Sequence, residues 1–350
     1  MELEERIRLL TKNVEELVTE DELRELLVAK ERPSAYIGFE PSGLVHIGWA
    51  ICTSKIKDFV DANFEFIVFF ADWHAYINDK LGGDIENIRV CARYMEDCFE
   101  ALGVPRDKVV FKLASETLDQ IKYWEKFIKV GKATSLSRVK RAMTIMGRSE
   151  DEAELDSSKV MYPLLQATDI FELGVDVAYA GMDQRRAHML ARDAADKLKW
   201  PKPIALHTPL LPGLKGGSRM DPIAGKMSKS DPDSGILIHD SAEDIKRKLK
   251  KAYCPPEEDD NPVLATCKYV IFDRLGRLNV DRPEKFGGPL VFQTYEELVD
   301  AYTSGKLHPM DLKNGVASGL NEILAPVREY FEKKPENYEA MKAVLRTLGR

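Results

Sequence analysis

Short apolar runs alternate with helical patterns along the first 210 residues, and this alternation constrains the fold more than any other feature. Runs rich in β-branched and aromatic residues predict strands at 34–39, 64–72, 108–115, 175–181 and 203–211. Helical periodicity predicts helices at 46–62, 86–102, 118–130, 134–148, 162–172 and 183–198. Because the strand runs are continuously apolar, they are typical of parallel strands covered on both faces. The pattern predicts an α/β fold built on a parallel sheet.

The alternation ends after the last predicted strand. Residues 212–235 are rich in Gly, Pro, Ser, Asp and Lys, which predicts a long loop of the kind that usually has a function. From about residue 241 the pattern is mostly helical, with Ser241 as a suitable N-cap. A helical region therefore follows the parallel-sheet region.

Composition excludes several classes of protein. No apolar run in the 350 residues reaches the length of a membrane span, and the first residues lack the layout of a signal peptide, so we expect a cytoplasmic protein without membrane contact. The five cysteines form no CxxC pair, and the six histidines lack metal-binding spacing. We therefore expect reduced cysteines and no protein-bound metal.

One segment is strongly basic although the net charge of the chain is −7. Residues 121–148 contain eight Lys or Arg residues against one acidic residue, Glu125. Such a patch on an acidic protein fits a localised nucleic-acid contact. A solvated helical face explains the same run equally well.

The stretch "VMYPLLQATDI" (160–170) places polar residues on an otherwise apolar helix. Pro163 suits the first turn of a helix, where its missing N–H costs nothing. Tyr162, Gln166 and Asp169 follow at i, i+4 and i+7, so they share one face. The stripe is either a satisfied polar cluster in the core or part of a ligand site.

Two other stretches carry residues suited to phosphate groups. "GFEPSGLVHIGWA" (38–50) runs from a predicted strand through a turn into a helix, whose N-terminus can bind an anion. His46 can donate to a phosphate oxygen, and Gly48 has no side chain to keep a nucleotide from the backbone. "KMSKS" (226–230) places two mobile cationic side chains on the long loop. Alone, the first stretch is equally consistent with a histidine-capped turn. For the second, a solvated linker is the alternative, and the string and its place after the last predicted strand favour the phosphate-binding interpretation.

Together, "HIGW" (46–49) and "KMSKS", about 180 residues apart, resemble the signatures of class I aminoacyl-tRNA synthetases. Trp49 stands where the first signature commonly has a second histidine. Within the class, the chain resembles the archaeal and eukaryotic tyrosyl-tRNA synthetases over essentially its whole length. The resemblance is carried by "YIGFEPSG", "YPLLQATDI", "GMDQRRAHMLAR", "RPEKFGG" and "HPMDLKN".

The resemblance implies a Rossmann-like parallel-sheet catalytic domain followed by a mostly α-helical C-terminal domain. The catalytic domain would span 1–212, with a helical insertion at about 118–150. Residues 213–240 would form the KMSKS loop and linker, and 241–350 would bind the anticodon. The implied reaction joins L-tyrosine to tRNA(Tyr) with ATP, and Mg²⁺ would arrive on ATP. A homodimer is also implied, with an apolar stretch of the 86–130 region as its interface.

The resemblance further implies roles for individual residues. Tyr36 and Asp169 would hydrogen-bond the phenol hydroxyl of tyrosine. Its ammonium and carboxylate end would be held by Tyr162, Gln166 and Gln184. ATP would be bound by Gly38, His46, Gly48, Lys226, Met227, Ser228, Lys229 and Ser230, among which His46, Gly48, Lys226 and Lys229 would be catalytic. The tRNA would be contacted by Arg138, Lys140, Arg141, Arg185, Phe286, His308 and Asp311.

Some assignments stay open on the sequence. Asp72 and His74, at the end of a predicted strand, either line the pocket or stabilise the strand end. Taken alone, "HPMD" (308–311) is better explained by a helix N-terminus with proline at its first position. The alternatives for the whole chain are a tryptophanyl-type ligase, a non-catalytic RNA-binding relative and a small-molecule adenylyltransferase.

Overall fold

The computed structural model describes residues 1–118, 120–147, 156–216 and 233–349. The chain divides into two compact units. The first comprises Met1–Gly43, Lys55–Pro209 and Glu336–Arg350, and the second comprises Leu44–Ser54 and Leu210–Pro335. The first unit contains a Rossmann-like sheet, and the second is mainly helical.

The sheet of the first unit has six strands in the order β1-β6-β5-β2-β3-β4. Strands β2 to β6 are parallel to one another, and β1 is antiparallel to β6. A separate antiparallel pair, β7 and β8, belongs to the second unit. The strands are β1 Glu16–Val18, β2 Ser34–Phe39, β3 Glu65–Phe70, β4 Val109–Leu113, β5 Val177–Gly181, β6 Ile204–Thr208, β7 Leu278–Val280 and β8 Leu290–Phe292.

Sixteen α-helices are present in the described parts of the chain. They are α1 Leu3–Thr11, α2 Glu20–Ala29, α3 Trp49–Asp61, α4 Asp72–Ile77, α5 Ile85–Ala101, α6 Ser115–Leu118, α7 Ile121–Ala133, α8 Leu136–Ala142, α9 Ser157–Leu173, α10 Arg185–Leu198, α11 Ala242–Lys251, α12 Pro262–Thr266, α13 Phe272–Leu275, α14 Tyr295–Thr303, α15 Pro309–Lys333 and α16 Glu336–Thr347. Among these, none combines the length and apolar character needed to cross a membrane.

All five strands predicted from apolar runs are confirmed. The burial of every residue in β6 explains why its sequence lacks polar alternation. Tyr36 on β2 and Ala178 on β5 pack in one cluster with Ala167 and Ile170 of α9. α9 therefore lies against the sheet and presents its remaining side chains at one edge of it.

The predicted start of α9 at residue 162, with Pro163 in the first turn, is wrong. The helix begins at Ser157, where the carboxylate of Asp156 accepts a hydrogen bond from the backbone N–H of Ser158 over 2.9 Å. Pro163 therefore lies inside the helix and removes one intrahelical hydrogen bond. Val160, before the proline, packs against a buried cluster and extends the apolar face of the helix. These tertiary contacts outweigh the preference of proline for the first turn. The predicted polar stripe keeps its helical spacing.

A chain of buried polar groups connects α10, β6 and β1. Nδ1 of His188 lies 3.0 Å from Nε2 of His207, and Nδ1 of His207 lies 3.0 Å from a carboxylate oxygen of Glu16. Glu16 also forms an ion pair with Arg185 over 2.7 Å. Burial, and then the neighbouring His207, lower the pKa of His188 well below its ordinary value. His188 is therefore neutral in the folded protein near neutral pH.

The second unit packs around α15. Ser241 caps α11, as predicted, with its hydroxyl accepting from the backbone N–H of Asp244 over 3.1 Å. Gly315 allows α15 to approach β7 closely, since a Cβ there would lie 2.8 Å from Cγ2 of Val280 and 3.0 Å from the carbonyl of Asn279. The mostly helical character predicted beyond residue 241 is confirmed.

We expect His188 to make the protein less stable in mild acid. The unfolded chain takes up a proton at this residue below about pH 6.5, whereas the folded protein does not, so stability falls as the pH drops by up to about 1.4 kcal/mol per unit. Melting temperatures at pH 7.5 and 5.5 should differ more for wild type than for His188→Gln. His308→Asn, at an exposed position, is the control and should retain the wild-type difference. Equal differences in wild type and His188→Gln would contradict the expectation.

Candidate active site

Polar side chains converge where parallel strands end. Glu40 follows β2, Asp72 and His74 lie in α4 directly after β3, and the turn Met182–Gln184 follows β5. Because these strands are parallel, their carboxyl ends share one edge of the sheet, where ligands bind in open α/β folds. Helix α9 presents the predicted stripe to this edge: Tyr162, Gln166 and Asp169.

Asp169 is the buried acid of this cluster, with only 3% of its surface exposed. The hydroxyl of Tyr123 donates to Oδ1 over 2.7 Å, and Nε2 of His74 lies 3.1 Å from Oδ2. Tyr36 is buried on β2, and burial together with the charge of Asp169 raises the pKa of its phenol. Tyr36 also packs in one cluster with Ile170, the residue after Asp169 on α9, so the two residues that the resemblance assigns to a phenol-binding site lie in the same region.

His74 is almost completely enclosed at the same place. Its ring packs edge-to-face on Tyr162, with the ring centroids 5.0 Å apart. Burial alone would lower the pKa of His74, but the facing carboxylates of Asp169, Glu40 and Asp72 together raise it. Within the described residues, neither ring nitrogen of His74 makes a hydrogen bond of good geometry, although Nε2 lies 3.1 Å from Asp169. The buried ring thus faces the Asp169 carboxylate, and its Nδ1 is not used by any described group.

Asp72 stabilises the ends of strands. Its Oδ1 accepts hydrogen bonds from the backbone N–H groups of Trp73 and Ser115, each over 3.0 Å. Ser115 follows β4, so this carboxylate joins the carboxyl ends of β3 and β4. Of the two roles open on the sequence, Asp72 has the strand-end contacts and His74 reaches the polar cluster.

The hydroxyl of Tyr162 donates to Oε1 of Glu40 over 2.6 Å. Nδ2 of Asn78 donates to the same carboxylate over 3.0 Å and to the carbonyl of Met146 over 3.1 Å. The sequence analysis did not select Glu40 or Asn78. The available signal was the position of Glu40 directly after β2, at the carboxyl end of a parallel strand.

The amide groups of Gln166 and Gln184 meet at this site. Nε2 of Gln166 donates to Oε1 of Gln184 over 3.3 Å, and Nε2 of Gln184 donates to the carbonyl of Ile145 over 3.1 Å. Oε1 of Gln166 is buried and has no hydrogen-bond partner among the described residues. A buried acceptor without a donor is unfavourable, so this oxygen suits a ligand that brings N–H groups.

His46 and Gly48 belong to the second unit and precede α3, which begins at Trp49, three residues later than predicted. Nδ1 of His46 accepts a hydrogen bond from the backbone N–H of Gly48 over 3.1 Å. A Cβ at position 48 would lie only 2.8 Å from Cε1 of His46, so the imidazole itself requires glycine there. In the neutral ring, Nδ1 is the acceptor and Nε2 therefore carries the proton.

Of the other residues proposed to bind the nucleotide, Gly38 lies within the described residues and the loop residues do not. Gly38 lies near the end of β2, where an added Cβ would make only an ordinary 3.6 Å contact with Tyr36. The loop candidates lie outside the described residues: Lys226, Met227, Ser228, Lys229 and Ser230. Among the residues that are described, no three His, Cys, Asp or Glu side chains form a group suited to a metal ion.

The basic candidates of the first unit lie on α8 and α10. Arg138 forms an ion pair with Asp193 over 2.8 Å, and Arg185 is held by Glu16. Lys140 and Arg141 are exposed. The solvent-facing positions of this segment are consistent with both interpretations of the basic run.

The candidates of the second unit lie at the start of α15 and in a short turn. Phe286 is 58% exposed, and Nζ of Lys285 lies 4.8 Å from its ring centroid. Nδ1 of His308 accepts from the backbone N–H of Met310 over 3.1 Å and caps α15, with proline at the first helical position. Asp311 lies in the first turn. The helix N-terminus foreseen for "HPMD" is therefore present.

The chain is similar in sequence and structure to proteins of one family. Residues 29–325 match the model of the class I tRNA synthetases for tryptophan and tyrosine. A tyrosine–tRNA ligase of Aeropyrum pernix is 48% identical, with 98% of each chain covered. The tyrosyl-tRNA synthetase of Pyrococcus horikoshii, solved with L-tyrosine, has a TM-score of 0.91 and 45% identity over 98% of this chain and 100% of that one. For the Archaeoglobus fulgidus enzyme with L-tyrosine, the TM-score is 0.86, with 42% identity over 94% and 99% of the two chains.

We expect His74 to keep its proton above its ordinary pKa of about 6.5. The raised pKa means that the ion pair with Asp169 stabilises the fold fully below this pH, and that this contribution is lost as the pH rises through the raised value. An NMR titration of the ring Cε1–H, assigned by its absence in His74→Gln, measures the midpoint. It should fall in Asp169→Asn. A midpoint at or below 6.5 in wild type would contradict the assigned charge.

Proposed function

The chain belongs to the tyrosine–tRNA ligases of the class I tRNA synthetases, and on this premise we propose how its residues perform the two steps of tyrosine transfer. An oxygen of the L-tyrosine carboxylate attacks the α-phosphorus of ATP, which forms tyrosyl-adenylate and releases pyrophosphate. A ribose hydroxyl at the end of tRNA(Tyr) then attacks the tyrosyl carbonyl, and AMP leaves. No covalent bond to the protein forms in either step, and the reaction takes place in the cytoplasm.

The observation that carries the assignment of the tyrosine site is the buried carboxylate of Asp169 beside Tyr36. An acceptor enclosed in this way suits a substrate that ends in a hydroxyl group. Tyrosine donates its phenol proton to Asp169 and accepts from Tyr36. Phenylalanine has the same shape but offers no hydroxyl to the remaining acceptor positions of Asp169 or to Tyr36, so the site selects against it.

The polar groups of Tyr162, Gln166 and Gln184 bind the other end of tyrosine. The unpartnered Oε1 of Gln166 accepts from the substrate ammonium. Tyr162 donates its own proton to Glu40, so its oxygen is oriented to accept as well. The negative charge of Glu40 adds a longer-range attraction for the ammonium group.

The phosphates of ATP are bound by His46, Gly38, Gly48 and the loop residues Lys226 to Ser230. Catalysis rests on positioning and on stabilising the negative charge that moves toward pyrophosphate. Nε2–H of His46 donates to a phosphate oxygen, and Lys226 and Lys229 add positive charge from the loop. Mg²⁺ arrives as part of the substrate MgATP and is not held by a protein-built cage.

The tRNA is bound at two regions. Arg138, Lys140, Arg141 and Arg185 contact the acceptor stem from the catalytic domain (1–212). Residues 213–240 connect this domain to the anticodon-binding domain (241–350). There, the exposed ring of Phe286 stacks on an unpaired base, and Asp311 accepts from a guanine edge. The ring of His308 holds the start of α15 in place for this contact.

We also propose that the protein is a homodimer, in which α7 of each copy contacts the other. Ile121 and Ile128 are 74% and 66% exposed, and Trp124 lies between them on the same face. Their i, i+3 and i+7 spacing forms a continuous apolar stripe, and exposed stripes of this kind mark association surfaces. The stripe falls within the region in which the sequence predicts an interface.

Replacing Asp169 by Asn should weaken tyrosine activation. The loss of the charged acceptor lowers kcat/KM for tyrosine by about 10- to 100-fold, the usual effect of losing a hydrogen bond to an ionised group. Pyrophosphate exchange with ATP, measured with tyrosine, phenylalanine and tryptophan in parallel, tests this effect. Wild-type exchange should depend on tyrosine.

The control is Asp193→Asn, which changes a half-exposed carboxylate on α10 outside the site. Its exchange rate should equal that of wild type. Exchange with tryptophan in place of tyrosine would move the chain to the sister ligases, since an indole N–H also donates to a carboxylate. No exchange with any amino acid, in protein that binds tRNA, would leave a non-catalytic RNA-binding relative.

Replacing Ile128 by Glu should dissociate the dimer. Each copy then carries a charge within the apolar stripe, and burying two like charges opposes association. Sedimentation equilibrium should give twice the chain mass for wild type and the single chain mass for the variant. Val291→Glu, which alters an exposed apolar residue on β8, is the matched control and should remain dimeric. A dimeric Ile128→Glu would exclude the α7 stripe as the interface.

A further inference from the structure

Tyr123 reaches Asp169 from α7, a helix that contributes none of the residues assigned to substrate. The side chain of Tyr123 is fully buried. Its hydroxyl lies 2.7 Å from Oδ1 of Asp169 and 3.4 Å from the carbonyl of Leu165, one turn earlier on α9. The ring of Trp124 packs edge-to-face on the Tyr123 ring, with centroids 5.8 Å apart. Tyr123 is therefore held in one orientation toward the carboxylate.

The hydroxyl of Tyr123 acts as a donor to this carboxylate. Burial and the charge of Asp169 both raise the pKa of the Tyr123 phenol, so the group keeps its proton. Of the two acceptors within reach, Oδ1 at 2.7 Å is the closer and the charged one, and charged acceptors form the stronger hydrogen bonds. The single proton of Tyr123 is therefore committed to Asp169.

The carboxylate of Asp169 is contacted at both oxygens before any substrate binds, by a hydrogen bond from Tyr123 at Oδ1 and by the His74 ring at Oδ2. A carboxylate has about four acceptor positions, so further positions remain for a ligand. Without Tyr123, only the contact at Oδ2 would hold the group, and it would be able to turn about its last bond and change which acceptor positions face the substrate.

We propose that Tyr123 is a positioning residue that sets the selectivity of this site for tyrosine over phenylalanine. It holds the Asp169 carboxylate in the orientation that receives the proton of the substrate phenol. The proposal rests on the tyrosine–tRNA ligase activity proposed above. It assigns Tyr123 no contact with the substrate or with ATP.

The preference for tyrosine over phenylalanine distinguishes a positioning role of Tyr123 from a role in stabilising the fold. Loss of a hydrogen bond to an ionised acceptor weakens binding by about 10- to 100-fold. Here the loss affects only a substrate that forms a hydrogen bond with Asp169, which phenylalanine does not. In Tyr123→Phe, kcat/KM for tyrosine should fall by that factor through a higher KM for tyrosine. The KM for ATP and the weak exchange with phenylalanine should stay as in wild type, so the ratio of the two substrates falls.

The experiment measures pyrophosphate exchange with tyrosine and with phenylalanine in wild type, Tyr123→Phe and Tyr179→Phe. Tyr179→Phe is the matched control, since it also removes a buried hydroxyl, one that is paired with Thr208 Oγ1 over 3.1 Å. Its substrate ratio should equal that of wild type. In the Asp169→Asn background, adding Tyr123→Phe should lower the ratio no further, because the carboxylate through which Tyr123 acts is gone.

An unchanged ratio in Tyr123→Phe, with wild-type exchange dependent on tyrosine, would overturn this proposal and leave the ligase assignment intact. Absence of exchange in wild type would instead overturn the ligase assignment. Should Tyr123→Phe fail to fold, Tyr123→His supplies a ring N–H donor at the same place. A folded Tyr123→His with a ratio above that of Asp169→Asn supports the proposal. Failure of both variants to fold makes the role of Tyr123 structural and overturns it.

Discussion

A negative charge that is almost completely removed from water is the constraint on which the candidate site depends. Ionised Asp169 is tolerated in the interior only because partners compensate it. These partners come from different elements: His74 from α4 and Tyr123 from α7. Helices α4, α7 and α9 must therefore be in place together. The same arrangement encloses an acceptor that a hydroxylated ligand can use.

The sequence predicts the parts of the fold in which local pattern and tertiary environment agree. A continuously apolar segment such as 34–39 has few options other than a covered parallel strand, and β2 occupies that span. The stripe of Tyr162, Gln166 and Asp169 was visible because helical spacing alone places these residues on one face. Its position at the carboxyl edge of the sheet is seen only in the structure.

What the sequence did not reveal depends on contacts between distant segments. Tyr123 and Asp169 are 46 positions apart, and no local pattern in a basic helix identifies one buried tyrosine as the partner of an acid. Glu40 and Tyr162 are separated by 122 positions. Strand β1 has only three residues and is defined by its pairing with β6. The start of α9 was misplaced because the Asp156 cap and packing around Val160 outweigh the local preference of Pro163.

The pairing of His46 with Gly48 has a consequence for how such a chain can vary over evolutionary time. The imidazole occupies the space where a side chain at position 48 would begin, so glycine is needed there before any nucleotide is considered. A larger residue at 48 becomes acceptable only after the ring at 46 has moved or been replaced, and two positions coupled in this way have non-additive effects. A substitution at one of these positions is therefore disfavoured unless the other changes as well. We expect the residues at 46 and 48 to covary among related sequences.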